Sequence, residues 1–475
     1  MTKTKNKTRI SFIGNNAEDV TGSSTLIEFG EYKILLEYGL YQSNNIKDSY
    51  RVNTRRFDFK PSEIDYIFLN HLHIDHSGLI PRLYKNGCKA KIIAPKGNKE
   101  LYRILCLDSA FIISKDVELL NNKYGITADE IYTASDVDES IRYFDEYEFG
   151  DKVELNNSLS FRFVPSGHII NSAQLELWIT NNNHTAKVLY TSDLGNISIP
   201  KYYSNKFEPV THANVVIGEC TYGDASRSST TKDRAKDLEK IKSIVETVCI
   251  ENKGKVLIPV FSMDRTQNIL THLYDLFGKD ESFNIPILID SPLSIRVTNL
   301  YPSLLDGESR DKLESATNWE NVKFVNEYAD SKSWQTRKDP MIVLAASGFM
   351  VAGRSRSWAR CLLPNQKNHI LFVGYASPDS LAGKIKNRSS QKTITIDGKP
   401  IPNKCGITSL LSFTSHIQHD DMLKYYSDIN CEKVCLVHGD MKSKIKFGKE
   451  LQEEISNKSK TSRVVIVNKG TEILL

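Results

Sequence analysis

Six consecutive residues, His71-Leu72-His73-Ile74-Asp75-His76, put three imidazoles and a carboxylate into a single turn. They follow a strand-like run, Ile64-Asp65-Tyr66-Ile67-Phe68-Leu69, and precede Ser77-Gly78. Crowding these groups is costly unless something binds them, and imidazole with carboxylate suits zinc or a similar divalent ion. A His-rich surface loop is the alternative, and recurrence elsewhere in the chain argues against it. Ser166-Gly167-His168, Thr191-Ser192-Asp193-Leu194-Gly195 and Leu436-Val437-His438-Gly439-Asp440 each close a strand-like run. Ser412-Phe413-Thr414-Ser415-His416 precedes a helix-like one. The remaining histidines, His184, His212, His272, His369 and His419, lack such settings and are expected at the surface.

The chemistry suggests two ions, which together need about seven protein ligands with one carboxylate shared. A hydroxide held between two divalent ions is a strong nucleophile at neutral pH, because coordination lowers the pKa of water from about 15.7 toward 7. Two cations would also neutralise an anionic phosphodiester. Zinc is the expected metal, with manganese as the alternative, since His and Asp accept both.

A chain of 475 residues favours two or more domains. With 40% hydrophobic and 25% charged residues it has an ordinary globular composition, and a formal net charge of +4 is too mild to indicate a nucleic-acid partner by itself. The eight cysteines form no C-x-x-C pair, which argues against a zinc ribbon, and Cys431 and Cys435 read as buried thiols. The basic N-terminus runs into a strand-like Ile10–Gly14 instead of a secretory apolar core, and no apolar stretch is long enough to span a bilayer. A reducing cytosol is the default compartment.

Short strands are expected at 9–13, 24–29, 32–37, 66–70, 91–94, 161–165, 176–180 and 188–192, with a helix over 101–122. Near residue 220 the pattern changes. An amphipathic helix over 231–250 presents Leu238, Ile241, Ile244, Val245 and Val248 on one side. Strands at 255–260, 286–289, 341–346 and 370–374 then alternate with helical stretches, one starting near Arg265, which predicts a parallel-sheet α/β domain. Strands return at 433–437 and 463–468. The first eight residues and loop tips such as Asn181-Asn182-Asn183 are expected to be weakly ordered.

The His71-x-His73-x-Asp75-His76 run with His168, Asp193 and His438 resembles the metallo-β-lactamase superfamily. The resemblance implies that His71, His73 and His168 hold one metal, that Asp75, His76 and His438 hold the other, and that Asp193 bridges. Further motifs resemble the β-CASP nucleases: Glu219-Cys220-Thr221-Tyr222-Gly223, the run from Leu257 to Gln267, Asp290-Ser291-Pro292-Leu293, Ala346-Ser347-Gly348-Phe349-Met350 with Gly353-Arg354, Phe372-Val373-Gly374-Tyr375, and Ser412 to His416. The likeness runs from about Ile10 to the C-terminus. It is strongest to short bacterial members and to the core of pre-mRNA 3′-end cleavage endonucleases. The extra C-terminal domain of the RNase J type and the N-terminal KH domains of the archaeal type are not expected.

The implied architecture is α/β: an αββα metallo-β-lactamase sandwich from residues 1–220 and 409–475, with a β-CASP α/β domain inserted over 221–408. The implied activity is hydrolysis of single-stranded RNA entering a cleft between the domains, by two-metal bridging-hydroxide attack, in endonucleolytic mode with 5′ exonuclease action left open. Asp75, His416 and Glu219 carry catalytic roles by resemblance. His416 would assist the leaving oxygen, and Glu219 would hold its imidazole. Arg265, Ser347, Gly348, Arg354 and Lys384 are the RNA-binding candidates, with backbone N–H groups of Ser347-Gly348 offered to a phosphate. Arg265 has a bland alternative as a cap or salt bridge within its own helix and Lys384 as a solvated surface charge. Tyr375 and Trp358 are stacking candidates, with core packing favoured for Trp358.

His438 favours RNA, because DNA-acting relatives of the Artemis type usually carry an apolar residue there. Three positions depart from the family pattern. Glu37 stands where Asp is usual, Gln418 where many relatives have Asp, and Gly14-Asn15-Asn16 where a more glycine-rich turn is common. The rival readings are a DNA nuclease of the same fold and a non-catalytic RNA-binding subunit, with a small-molecule hydrolase a distant third. No membrane partner is expected. A homodimer and a regulatory protein partner stay open.

Overall fold

A computed structural model of the protein describes residues 7–181, 184–198, 201–224, 233–374, 376, 380–387 and 392–475. Residues 1–6, the polar tip at Asn182-Asn183, the expected helix start at Thr231 and the stacking candidate Tyr375 lie outside them. Contacts divide the chain into two units. The first comprises 1–198, 204–229 and 415–475, the second 199–203 and 230–414.

Period-two burial builds the first unit. In the strand Leu159–Pro165, Leu159, Phe161 and Phe163 are at most 1% exposed, whereas Ser160 and Arg162 between them are half-buried. Two seven-stranded sheets result. One runs Glu472–Leu474, Arg9–Phe12, Thr25–Phe29, Tyr32–Leu36, Tyr66–Phe68, Lys91–Pro95, Phe144–Tyr147. The other runs Arg463–Ile466, Lys433–Val437, Val215–Glu219, His184–Tyr190, Ala173–Asn181, Leu159–Pro165, Val153–Asn156. Ile10, Ile27, Ile34 and Phe68 of the first pack on Phe161, Leu175, Val188 and Ile217 of the second.

The outer face of the second sheet is covered by the helices His419–Asp428 and Met441–Asn457. Tyr426, Phe447 and Leu451 of these helices bury Leu189, Val216 and Leu436. Outside the first sheet lies the helix Lys99–Tyr124, whose Tyr102 ring sits 5.2 Å from Phe144. This is the expected αββα layering. The strands Phe144–Tyr147 and Val153–Asn156 were not expected; they are short, partly exposed sheet edges with weak apolar alternation.

The second unit holds a six-stranded sheet in the order Val322–Phe324, Ile287–Asp290, Met341–Ala345, Lys255–Pro259, His369–Phe372, Gly406–Ser409, with every pairing parallel. Its central strands are buried on both faces and so read as unbroken apolar runs. Val256, Ile258, Ile342 and Leu344 pack on Ile241, Val245, Ile269 and Leu273, while Leu257, Met341 and Val343 pack on Trp358, Ala359 and Leu362. The helix expected from 231 is described as Arg234–Val245, continuing in a π-helical turn, Glu246–Glu251.

Candidate metal centre

Strand direction decides where the polar groups meet. In the second sheet, Leu159–Pro165 is antiparallel to Ala173–Asn181, which is antiparallel to His184–Tyr190, and the latter is parallel to Val215–Glu219 and Lys433–Val437. His168, Asp193, Glu219 and His438 therefore emerge at one edge of the sheet. In the first sheet, Tyr32–Leu36 and Tyr66–Phe68 are parallel neighbours and deliver Glu37 and His71. The backbone then turns sharply: Glu37, Ser192 and His438 all have positive φ, at 60°, 49° and 52°. Such strained non-glycine residues persist only where the surroundings over-determine them. The short helix Ile74–Ser77 carries Asp75 and His76, its first turn closed by the His76 N–H donating to the His73 carbonyl at 2.9 Å.

Four overlapping groups could hold a metal ion. His71, His73, His168 and Asp193 make one and Asp75, His76 and His438 a second, matching the two expected ligand sets; Glu37, His71 and His76, and Asp193, Glu219 and His416, make the others. In the first set, His71 Nε2 and His168 Nε2 lie 3.4 and 3.5 Å from Asp193 Oδ2, and His168 Nε2 lies 3.2 Å from His73 Nδ1. In the second, His76 Nε2 lies 3.2 Å from His438 Nε2 and 3.5 Å from Asp75 Oδ2. Asp193 Oδ1 turns toward this second set, 3.4 Å from His76 Nε2 and 3.6 Å from His438 Nδ1. Ligands about 2.1 Å from a tetrahedral ion are separated by roughly 3.4 Å, so these spacings match the edges of a coordination polyhedron. His71 Nε2 and Asp193 Oδ1 are buried without a hydrogen-bond partner, a costly state that a bound cation relieves. The donor set thus fits a metal.

Burial works against charge on Asp193, but His438, His76, His71 and His416 hold its carboxyl well below the usual range. Burial likewise opposes protonation of His71, yet Asp193 and Glu37 raise it to about 10. His438 is raised to about 9, the charge of Asp193 and Asp75 outweighing burial, while burial and His71 push His73 down to about 3. A carboxylate-rich pocket that retains protons is one in which metal and protons compete.

Glu37 holds both sets together. Its Oε1 accepts from Ser192 Oγ at 2.7 Å, and that hydroxyl lies 3.0 Å from His71 Nδ1. Its Oε2 accepts from Tyr190 at 2.6 Å and contacts His76 Nδ1. Both rings are thereby oriented by Nδ1–H, which leaves each Nε2 lone pair free for metal. Burial would raise the Glu37 carboxyl, but His76 and His71 bring it down to about 2. On the second set, Thr221 Oγ1 lies 2.9 Å from His438 Nδ1 and does the same for that ring. Ser192, Tyr190 and Thr221 were not among the expected site residues, although Thr221 falls inside the Glu219–Gly223 motif.

His416 pairs across Gly195 in an isolated antiparallel bridge, with Ile417 N–H on Leu194 O and Asn196 N–H on Ser415 O, both at 2.9 Å. A Cβ on Gly195 would lie 2.0 Å from the Gly167 carbonyl oxygen, so only glycine lets the His168 and Asp193 loops approach this closely. His416 Nδ1 lies 3.3 Å from Glu219 Oε1, which also accepts the Leu194 N–H at 2.6 Å. Its Nε2 lies 3.9 Å from Asp193 Oδ2. Gln418 donates to the His416 carbonyl at 2.9 Å. All nine expected metal and catalytic residues thus converge within the first unit.

The five RNA-binding candidates lie in the second unit. Arg265 donates to the Val373 carbonyl, Gly348 is buried and Lys384 is exposed. Two candidates differ from expectation. Arg354 is engaged by Asp290 Oδ1 at 2.5 Å, by Val325 O at 2.7 Å and by Asn326 O, a ring of acceptors that ties neighbouring segments together. The Ser347 N–H is used by the Ala352 carbonyl at 3.3 Å instead of being open to a phosphate. Trp358 is fully buried, its Nε1 donating to Asp290 Oδ2 at 2.6 Å. Two histidines expected at the surface are buried. His419 packs on Phe447, and His272 accepts from Arg234 at 2.9 Å, with burial and that guanidinium pushing it down to about 3.

Residues 266–385 match the Beta-Casp domain family, and residues 400–462 match the family described as a Zn-dependent metallo-hydrolase RNA specificity domain. The chain carries a β-CASP domain. Similar β-CASP relatives include the ribonuclease TTHA0252 of Thermus thermophilus, 28% identical over 92% of this chain and 94% of that protein. The transcription termination factor FttA of Methanocaldococcus jannaschii is 24% identical over 91% of this chain and 67% of its own length. The endoribonuclease YSH1 of Candida glabrata is 25% identical, and there the match spans only 55% of the relative. Among solved structures, a protein of unknown function from Enterococcus faecalis V583 shares the fold with a TM-score of 0.51 at 12% identity, covering 99% of this chain and 100% of that one. The match to a Zn-dependent metallo-hydrolase family and the His and Asp clusters point to metal binding, and among the described residues no helix is long and apolar enough to cross a membrane.

Proposed function

We propose that this protein is a metal-dependent ribonuclease that cuts single-stranded RNA endonucleolytically, using two divalent ions, zinc by preference. The observation that carries the reading is Asp193, whose two carboxylate oxygens face two separate ligand sets while His416 stands beside it. In this reading the metallo-β-lactamase domain comprises 1–220 and 409–475 and the β-CASP domain 221–408. His71, His73, His168 and Asp193 would hold one ion, and Asp75, His76, His438 and Asp193 the other. Bound there, the ions supply Lewis acidity toward a phosphodiester and lower the pKa of water.

The chain's own residues do the rest. Glu37 and Thr221 hold the ligand imidazoles in the metal-binding tautomer. Glu219 holds Nδ1 of His416, leaving Nε2 to give a proton to the departing 3′ oxygen, so that the products are a 5′-phosphate and a 3′-hydroxyl. RNA as the substrate is supported by the likeness to the Thermus ribonuclease and the Candida endoribonuclease.

The test is cleavage of 5′-labelled single-stranded RNA and matched DNA by wild type and His416→Ala, with metal content measured in parallel. RNA-selective cutting by wild type that is lost in the variant, at two ions per chain, is the expected result. Equal cutting of DNA overturns the substrate assignment. Absence of both metal and cutting overturns the enzyme reading.

A further inference from the structure

The second unit has a crevice of its own, lined by Pro259, Phe261, Arg265, Gly348, Phe372, Val373 and Gly374. Pro259 and Phe372 end their strands and the rest follow the carboxyl ends of three adjacent parallel strands, Met341–Ala345, Lys255–Pro259 and His369–Phe372. From Lys255–Pro259 the chain continues to Ile287–Asp290 on one side of the sheet. From His369–Phe372 it continues to Gly406–Ser409 on the other. Neighbouring strands whose connections leave in opposite directions open a crevice at their carboxyl ends, and open α/β sheets bind ligands there.

The crevice is built around a ring and a cation. Phe261 is 37% exposed, an unusual setting for phenylalanine on a loop this close to a buried sheet. Phe349 supports it edge-to-face, with centroids 5.1 Å apart and planes at 83°. A Cβ on Gly348 would lie 3.2 Å from the Phe261 ring, and one on Gly374 would lie 2.6 Å from Arg265 Nη1. Both glycines therefore clear space beside the two groups a ligand would meet. The turns on either side are strained: Asp264 has φ of 67° and Met350 of 55°. Outside glycine, positive φ also occurs at Glu37, Ser192 and His438 beside the ligand sets, and at Asn171, Lys253, Asp397 and Ser459 elsewhere.

We propose that this crevice is a single-nucleotide subsite in which Phe261 stacks on an unpaired base and the Arg265 guanidinium faces the adjoining phosphate. The ring offers a π-face that accepts any base, and the guanidinium complements the anionic backbone, so the occupant is one nucleotide of a single strand with little base preference. Duplex is excluded because its bases are already stacked. The proposal rests on the ribonuclease reading and adds to it a residue, Phe261, and a mode of recognition.

The experiment uses the full chain and a phosphorothioate-linked oligouridylate, which resists cutting. Phe261→Leu should weaken binding roughly 5- to 100-fold, and Phe261→Trp should restore it. A ribose-phosphate oligomer of the same length without bases should bind wild type and Phe261→Leu alike. In Phe261→Trp, oligouridylate should quench fluorescence over and above the signal of the four native tryptophans. An unquenched tryptophan, or a leucine penalty that persists without bases, overturns the subsite. Quenching together with a wild type that cuts no RNA removes the nuclease reading alone, while RNA cutting without quenching removes this proposal alone.

Discussion

Ser192 donates its hydroxyl to Glu37 Oε1 at 2.7 Å while standing 3.0 Å from His71 Nδ1, so one carboxylate reaches a metal-facing imidazole through a serine. The other oxygen of Glu37 contacts His76 directly. Because one side chain steers a ligand in each set, Glu37→Ala should lower affinity at both metal positions, by about 10–100-fold. Competition titration with a chromogenic chelator measures it. Loss confined to one of two ions would contradict the shared role. Glu37→Asp, one methylene shorter, should fall between wild type and alanine.

Thr221 supports only one ring. Its hydroxyl lies 2.9 Å from His438 Nδ1 and 3.3 Å from the His438 carbonyl oxygen. Thr221→Val keeps the shape and removes the hydroxyl, so metal content should fall toward one ion per chain at limiting metal while the second remains. Elemental analysis after dialysis reads this directly.

His416 is held by Glu219, and with Glu219 and Asp193 it forms a further group of potential ligands beside the two sets. His416→Ala should reduce the RNA cleavage rate by about 10²–10⁴ and leave metal content near wild type. Metal lost along with activity would make it a ligand and not a proton donor.

Lys444 is buried, with its ammonium given to the Ala17 and Val467 carbonyls. Burial lowers its pKa from 10.5 to about 8. Above about pH 8 the folded chain sheds a proton that the unfolded chain keeps until about 10.5, so folding is favoured increasingly across that window. The neutral amine still donates to both carbonyls. Lys444→Met should cost about 1–3 kcal/mol by orphaning those carbonyls. The stability gap between wild type and variant in denaturant titrations should widen as pH rises from 8 to 10.5. A gap that narrows would mean the lysine is stabilised by its charge.

Gly195→Ala would set a Cβ 2.0 Å from the Gly167 oxygen. The variant should either fail to fold or bind metal at least tenfold more weakly, because the His168 and Asp193 loops must part. Wild-type metal affinity in a folded variant would show that the loops can yield.

Much of this was legible along the chain because the signals are local. The period-two strands of the sandwich and the apolar runs of the parallel sheet mark their own burial, and each ligand sits just past the end of such a run. The edges Phe144–Tyr147 and Val153–Asn156 were not legible, since an edge strand buries little and needs little alternation. Nor was the burial of His272, which depends on Arg234, 38 positions away.

By itself the sequence singled out the imidazoles and carboxylates that the fold brings together, because such groups at successive strand ends have few uses other than metal binding, and it determined the two sheet types through their hydrophobic periods. Only the tertiary structure decided that Glu37 serves both ligand sets, that Thr221 orients His438, that Arg354 is held by Asp290 and that Phe261 stands exposed beside Arg265. Each of these is a side-chain distance between segments remote in sequence, and no local pattern encodes where two strand ends from different parts of a chain will meet.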